Sequence, residues 1–349
     1  MNRREFIAGG AALGAAAACA QTDTERERER EEQRKQLMAI QEELRRAREE
    51  RMAREERMIV GDPSPHFVPP PQPAELNLCL QLWVIPVGGD YNAKLDWLEK
   101  NGFSSVEIPS GDWLFKEADK FMAAMQGRKL KLSAACGPSD FSFADKARRD
   151  KEVDRLMPML DVLGKIGSTG LIVCPARRHP ELPFEELRAS FVEDTARRLA
   201  QHAAECGTNI ILEPLCRGET PFLKLVADAA SMARDIGRGA KPMGDFWHMS
   251  KEETSFCGAF LSAGENLGHV HIASLRSRKI PGVDGEADNY VDGFRGLKMI
   301  GYRGAISFEC GYPTKGKDAN GKDIHLSEQE KVDLILKARD LIKEQWEKA

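Results

Sequence analysis

The chain has 349 residues, of which 42% are hydrophobic and 7% aromatic, and its formal net charge is -4. That composition supports one large globular core with an appendage. It leaves no basic footprint for a nucleic acid, and no apolar run after the N-terminus is long enough to span a bilayer.

Residues 1–20 have the layout of an export signal: a basic start with Arg3 and Arg4, then Phe6 and a weakly hydrophobic Ala/Gly stretch ending AAAACAQ. The arginine pair resembles a twin-arginine signal, which carries folded proteins, so the expected location is the periplasm or a membrane facing it. Two cleavage readings stand. Cys19 would be lipidated and anchor the chain to the membrane, or Ala18-Cys19-Ala20 would be an ordinary small-x-small site. From 21 to 60 the sequence is dominated by Glu, Arg and Gln, with opposite charges three and four apart, which predicts an exposed helical spacer. Residues 61–75, containing GDPSPHFVPPPQP, form a Pro-rich linker expected to be extended and stiff.

From residue 76 to 349, apolar runs alternate with amphipathic stretches, as βα units do. The predicted strands are LCLQLWVI, SSVEIP, LKLSAACG, GLIVCPA, NIILEPL, PMGDF, HVHIAS and AISFEC. Helical patterns between them include NAKLDWLEKNG, residues 148–166 and residues 184–206. Eight strands each followed by a helix predict an α/β fold, a (β/α)8 TIM barrel. No Gly-x-Gly-x-x-Gly follows the first strand, so a dinucleotide fold is not indicated. Cys79, Cys136, Cys174 and Cys310 fall in or at the end of these strands and are expected to be buried thiols; Cys206 and Cys257 stay open.

Four strands close on a carboxylate or an imidazole: Glu213 in NIILEPL, Asp245 in KPMGDFWHM, His271 in GHVHIAS and Glu309 in GAISFECGY. A charge at the end of a buried strand is costly unless paired, and a barrel gathers strand C-termini at one mouth. One divalent cation would pair with all four. Three oxygen donors and one imidazole suit Mn²⁺ first, with Mg²⁺, Co²⁺ or Zn²⁺ as alternatives.

The segments EPLCRGETPFLKLVADA, DFWHM, GHVHIAS and SFECGY resemble the xylose isomerase-like barrels, the sugar phosphate isomerase/epimerase superfamily, and within it the ketose 3-epimerase and tagatose epimerase type. The resemblance implies that Glu213, Asp245, His271 and Glu309 ligate the metal, that Glu213 and Glu309 are also the catalytic acid and base, and that Glu219 and His248 bind substrate. It further implies an enediolate made by moving a proton beside a sugar carbonyl. Arg217 shares a loop with Glu219 and is a candidate substrate contact. Arg276 and Arg278 both fit the arginine that the family places after the histidine. Glu107 is a candidate substrate contact or a salt-bridge partner in the mouth, and Trp247 a candidate sugar-facing ring, with Trp83, Trp113 and Phe143 as further aromatics near strand ends.

These readings predict a metal-dependent sugar isomerase or epimerase acting on a small carbohydrate, free or oxidised, outside the cytoplasm, with a homo-oligomer among the expectations. Export disfavours a sugar phosphate, and no Gly-rich phosphate cradle is evident. The same enediolate could instead expel a leaving group, making the protein a lyase that deglycosylates a 3-keto-glycoside or dehydrates an inosose. A sugar-binding lipoprotein without catalysis is the third reading.

Overall fold

The computed structural model describes residues 72–349, save 177, 178, 319 and 320, together with scattered positions between 28 and 50. The expected export signal with its Cys19, and most of the Pro-rich linker, lie outside the described residues. The chain divides into two units, Met1–Val68 and Pro69–Ala349. In the first, the described positions between 28 and 50 are helical. They carry exposed ion pairs one turn apart, Lys35 with Glu31 and Arg45 with Glu42. No helix among the described residues is long and apolar enough to cross a membrane.

The second unit is a closed barrel of eight strands in sequential order. The strands are β1 (Asn77–Gln81), β2 (Ser105–Pro109), β3 (Lys131–Cys136), β4 (Leu171–Val173), β5 (Ile210–Leu212), β6 (Ala240–Asp245), β7 (His269–Ile272) and β8 (Ala305–Phe308). Every neighbouring pair is parallel, and β8 pairs back onto β1 through Asn77 opposite Ala305. The main helices of the outer ring are α1 (Tyr91–Lys100), α2 (Asp112–Met125), α3 (Lys146–Lys165), α4 (Phe184–Ser190), α5 (Ala196–Glu205), α6 (Val226–Ile236), α7 (Phe246–Glu252), α8 (Phe256–Ala263), α9 (Val291–Met299) and α10 (Glu328–Lys348). A π-helical turn, Phe191–Thr195, joins α4 to α5, so the helical run expected over 184–206 is continuous.

The strands differ from uniformly apolar runs in an instructive way. Side chains alternate across a strand. Leu78, Leu80, Val106, Ile108, Val270, Ile272, Ile306 and Phe308 pack into the main core with the helices. Their alternates on β1, β2, β7 and β8 are Cys79, Gln81, Ser105, Glu107, His269, His271 and Ser307, all buried. On the other half of the barrel Ala134, Ile172, Ile211 and Met243 form a small apolar cluster of their own. The lumen is therefore polar on one side and greasy on the other. The seven described cysteines, including Cys79, Cys136, Cys174 and Cys310, are thiols and not disulfides.

Candidate active site and metal centre

The four strand-end residues converge. Glu213 follows β5 directly and its N–H donates to the Val173 carbonyl at 3.0 Å; Glu309 follows β8 and donates to Ile272 at 3.2 Å. Sheet pairing thus continues one residue past each strand and aims both carboxylates across the mouth. Asp245 ends β6 and caps α7, one oxygen accepting the Trp247 N–H at 2.8 Å. That leaves its other oxygen for the cluster. Glu213, Asp245, His271 and Glu309 each offer a ligand atom within 4.8 Å of the other three.

The histidine's tautomer follows from its neighbours. His271 Nε2 lies 3.2 and 3.1 Å from the two Glu107 oxygens, so it carries the proton and donates. Nδ1 lies 3.2 Å from Glu309 and 3.7 Å from Glu213. Although burial disfavours a charged ring, Glu107 and Glu309 push the His271 pKa well above the ordinary imidazole value. His271 Nδ1 and Glu213 Oε1 are both buried without a hydrogen-bond partner. The two atoms face each other among carboxylates, and a divalent metal in place of a proton on Nδ1 fits this donor set.

Glu107, expected as a substrate contact or a salt-bridge partner, is fully buried. It accepts from Gln81 at 2.9 Å, His269 at 2.9 Å and His271, so its oxygens are already engaged inside the lumen. Burial pushes its carboxyl up, but the His271 and His269 imidazoles outweigh that and hold it well below the usual range. Burial likewise pushes Glu309 up, and His271 and Arg278 bring it down to about 2. Asp245 is raised, chiefly by burial.

Of the two arginines left open, the fold selects Arg278. Its guanidinium reaches Glu309 at 2.7 Å, Asp245 at 3.3 Å and Glu219 at 3.3 Å, and lies 4.6 Å over the Trp247 ring. Arg278 has φ of 52°, a left-handed conformation held by the braced β7–α9 loop. In that loop Asp288 accepts the Leu275 and Gly282 N–H groups, and Asp284 accepts those of Arg276 and Ser277. Arg276 is exposed and gives its carbonyl to the Trp247 indole at 3.5 Å. Arg217 also points away from the cluster: its side chain is 75% exposed and paired with Glu252 at 2.9 Å.

His248 is buried, and its Nδ1 accepts the Cys216 N–H at 3.0 Å. Its proton is therefore on Nε2, which has no hydrogen-bond partner and faces Asp245 at 3.6 Å. A cavity of about 200 Å³ is lined by Glu213, Glu219, His248, Arg278, Glu309 and Cys174, among others. Beside it, about 240 Å³ lies over Gln81, Trp83, Arg278 and Glu309. Trp113 and Phe143 are elsewhere: Trp113 packs edge-on to Tyr91, and Phe143 stacks under Arg148. Two residues that sequence reasoning missed, Gln81 and His269, belong to the polar lumen. The alternation in HVHI, with both histidines on one strand face, was the signal that could have found His269.

Residues 95–333 match the profile of the xylose isomerase-like TIM barrel family. The 3-dehydro-D-guloside 4-epimerase of Escherichia coli K12 is 30% identical over 228 residues, covering 62% of this chain and 85% of that protein. The L-ribulose 3-epimerase of a Methylomonas strain is 34% identical over 181 residues, 52% of this chain and 62% of that one. Among solved structures, an E. coli 3-keto-D-glucoside 4-epimerase superposes with a TM-score of 0.64 at 26% identity, covering 76% of this chain and all of that one. The D-psicose 3-epimerase of Clostridium cellulolyticum H10 superposes with a TM-score of 0.67 at 22% identity, covering 78% and 99%, a likeness of fold. These relatives are sugar epimerases. With its eight-stranded barrel, its strand-end cluster and a family match over most of its length, the chain belongs to the xylose isomerase-like TIM barrel family.

Proposed function

We propose that the protein is a divalent-metal-dependent epimerase of an unphosphorylated keto-sugar or keto-glycoside, inverting a carbon next to the carbonyl. The observation that carries this reading is the buried cluster in which Glu213 and Glu309 flank His271 from β5 and β8, three strands apart in a ring of eight. Two carboxylates approaching one substrate carbon from different sides can remove a proton from one face and return it to the other. Glu213, Asp245, His271 and Glu309 would hold the cation. When bound, it polarises the sugar carbonyl and steadies the negative charge that develops as the proton leaves.

The chain's own groups supply the rest. His248 offers its Nε2 proton to a sugar oxygen from a buried position, and the Cys216 N–H fixes its ring. Arg278 presents a guanidinium at the cavity wall, steadied by Glu219. Trp83 offers a flat face to sugar C–H groups, while the Trp247 ring lies under Arg278 and Lys251 and backs the guanidinium. The E. coli relative, which acts on a 3-dehydro-guloside, supports an oxidised glycoside as substrate. Export by the N-terminal signal, with or without anchoring at Cys19, belongs to the same proposal and supports an unphosphorylated sugar.

The test uses the full chain loaded with Mn²⁺ in D₂O, offered a 3-keto-glucoside and a panel of ketoses and followed by NMR. The expected result is one deuterium at the carbon beside the carbonyl, with the epimer accumulating. Glu213→Gln and Glu309→Gln should each lower turnover by about 100-fold or more. No exchange with any keto-sugar would overturn the proposal, and release of the aglycone would replace epimerisation with elimination.

A further inference from the structure

A second cluster of ligand-type side chains lies on the outer helical layer. Asp161 on α3 and His202 on α5 meet at 2.7 Å between Oδ1 and Nε2. Cys206 is one turn after His202, at the C-terminal cap of α5, and its Sγ is 3.4 Å from the same Asp161 oxygen and 3.7 Å from the same His202 nitrogen. Carboxylate oxygen, imidazole nitrogen and thiol sulfur therefore converge in one triangle.

The helices are held in that position by their backbones. A Cβ on Gly164 would lie 2.2 Å from the Cys206 carbonyl oxygen, so only glycine lets α3 approach α5 this closely. The Cys206 N–H closes the last turn of α5 onto the His202 carbonyl at 3.0 Å. One turn before Gly164, Asp161 is thereby placed opposite the His202 and Cys206 pair. The helices run back along the strands, so their C-terminal ends lie at the barrel face away from the strand-end cluster.

A nucleophilic Cys-His-Asp relay does not fit. Such a relay needs the thiol on one imidazole nitrogen and the carboxylate on the other; here both meet Nε2. Three unlike donors around one point suit a metal ion. Sulfur, imidazole and carboxylate together select a borderline cation that accepts tetrahedral coordination, which describes Zn²⁺ better than Mn²⁺ or Mg²⁺. The Asp161 side chain is 59% exposed and that of His202 30% exposed, so a fourth position is open to water.

We propose that Asp161, His202 and Cys206 form a second metal site, selective for Zn²⁺ over Mn²⁺, that clips α3 to α5 at the end of the barrel opposite the active site.

The experiment takes the full chain with its first site filled by Mn²⁺ and titrates Zn²⁺ by calorimetry, and Co²⁺ by absorbance. A further equivalent of Zn²⁺ should bind, and Co²⁺ should show a thiolate-to-cobalt charge-transfer band. Cys206→Ser should abolish that band, and Cys206→Ser, His202→Gln and Asp161→Asn should each weaken Zn²⁺ by roughly tenfold or more. Asp161 and His202 are partly exposed, so those two variants are expected to fold, which far-ultraviolet circular dichroism checks. Glu213→Gln should leave this second event unchanged, which separates it from the first site. The proposal is overturned by the absence of a second binding event, or by one that all three variants retain. It is equally overturned by an event that Glu213→Gln removes, since that would assign the metal to the strand-end cluster.

Discussion

His271 can present a lone pair to the cluster only because its other nitrogen is engaged by Glu107 beneath it. A buried carboxylate that binds an imidazole on its far side fixes the tautomer and raises the basicity of the ring, and losing it typically costs about 10- to 100-fold in metal affinity. Glu107→Gln removes the charge while keeping the volume. Its expected effect is a fall of that size in Mn²⁺ affinity by calorimetry, with an unchanged far-ultraviolet spectrum; full retention of affinity would show that His271 needs no such support. Arg278 is the second residue whose role depends on its surroundings. Its contacts with Asp245, Glu309 and Glu219 use a planar fork that a lysine cannot reproduce. Arg278→Lys is therefore expected to raise KM for the sugar about tenfold in steady-state kinetics, the equivalent of one good charged contact. An unchanged KM would remove Arg278 from substrate binding.

At the scale of elements, α10 starts with a complete capping box. Ser327 Oγ accepts the Glu330 N–H at 3.3 Å, and Glu330 accepts the Ser327 N–H at 2.8 Å and pairs with Lys315 at 2.7 Å. Lys315 first, and then Ser327, hold the Glu330 carboxyl at about 2, against an ordinary 4.5. A carboxyl depressed in the folded state contributes its stability above the ordinary value and loses it as pH falls towards the depressed one. Between pH 4.5 and 2 the wild type should therefore lose more denaturation midpoint than Glu330→Gln does. Parallel acid profiles for the two proteins would contradict this. Packing between elements is similarly local: Gly164→Ala would push a methyl group into the Cys206 carbonyl. The overpacking should cost about 1–3 kcal/mol in chemical denaturation, whereas an exposed helical glycine would be stabilised by the same change.

At the scale of the molecule, the barrel concentrates Glu213, Asp245, Glu309 and Glu107 at or below one mouth. A ligand that binds the native state alone stabilises it by mass action, about 2.7 kcal/mol at 100 times its dissociation constant. Mn²⁺ should thus raise the melting temperature in proportion to the logarithm of its concentration, and Glu213→Gln should flatten that dependence. A melting temperature unaffected by Mn²⁺ or by chelator would mean that the cluster holds no metal.

Much of this was legible in the chain itself. The strand order, the parallel barrel and the four strand-end residues follow from the alternation of apolar runs with helical stretches, because βα units pair with their sequence neighbours and a charged residue stands out at the end of an apolar strand. What the sequence left open depends on distant contacts. Glu107 meets His269 across 162 positions, and only closure of the barrel shows that Gln81, Glu107 and His269 share one wall of the lumen. Arg276 and Arg278 are two residues apart and chemically identical; the bracing of their loop by Asp284 and Asp288 decides which enters the site. Arg217 is a candidate in the sequence because it shares a loop with Glu219, but α7 supplies Glu252 and draws it outward. The sequence alone determined which residue types reach the barrel mouth and in what order, since strand periodicity is local. The tertiary structure decided which side chains face one another, since packing of the ring and its loops sets each side chain's direction.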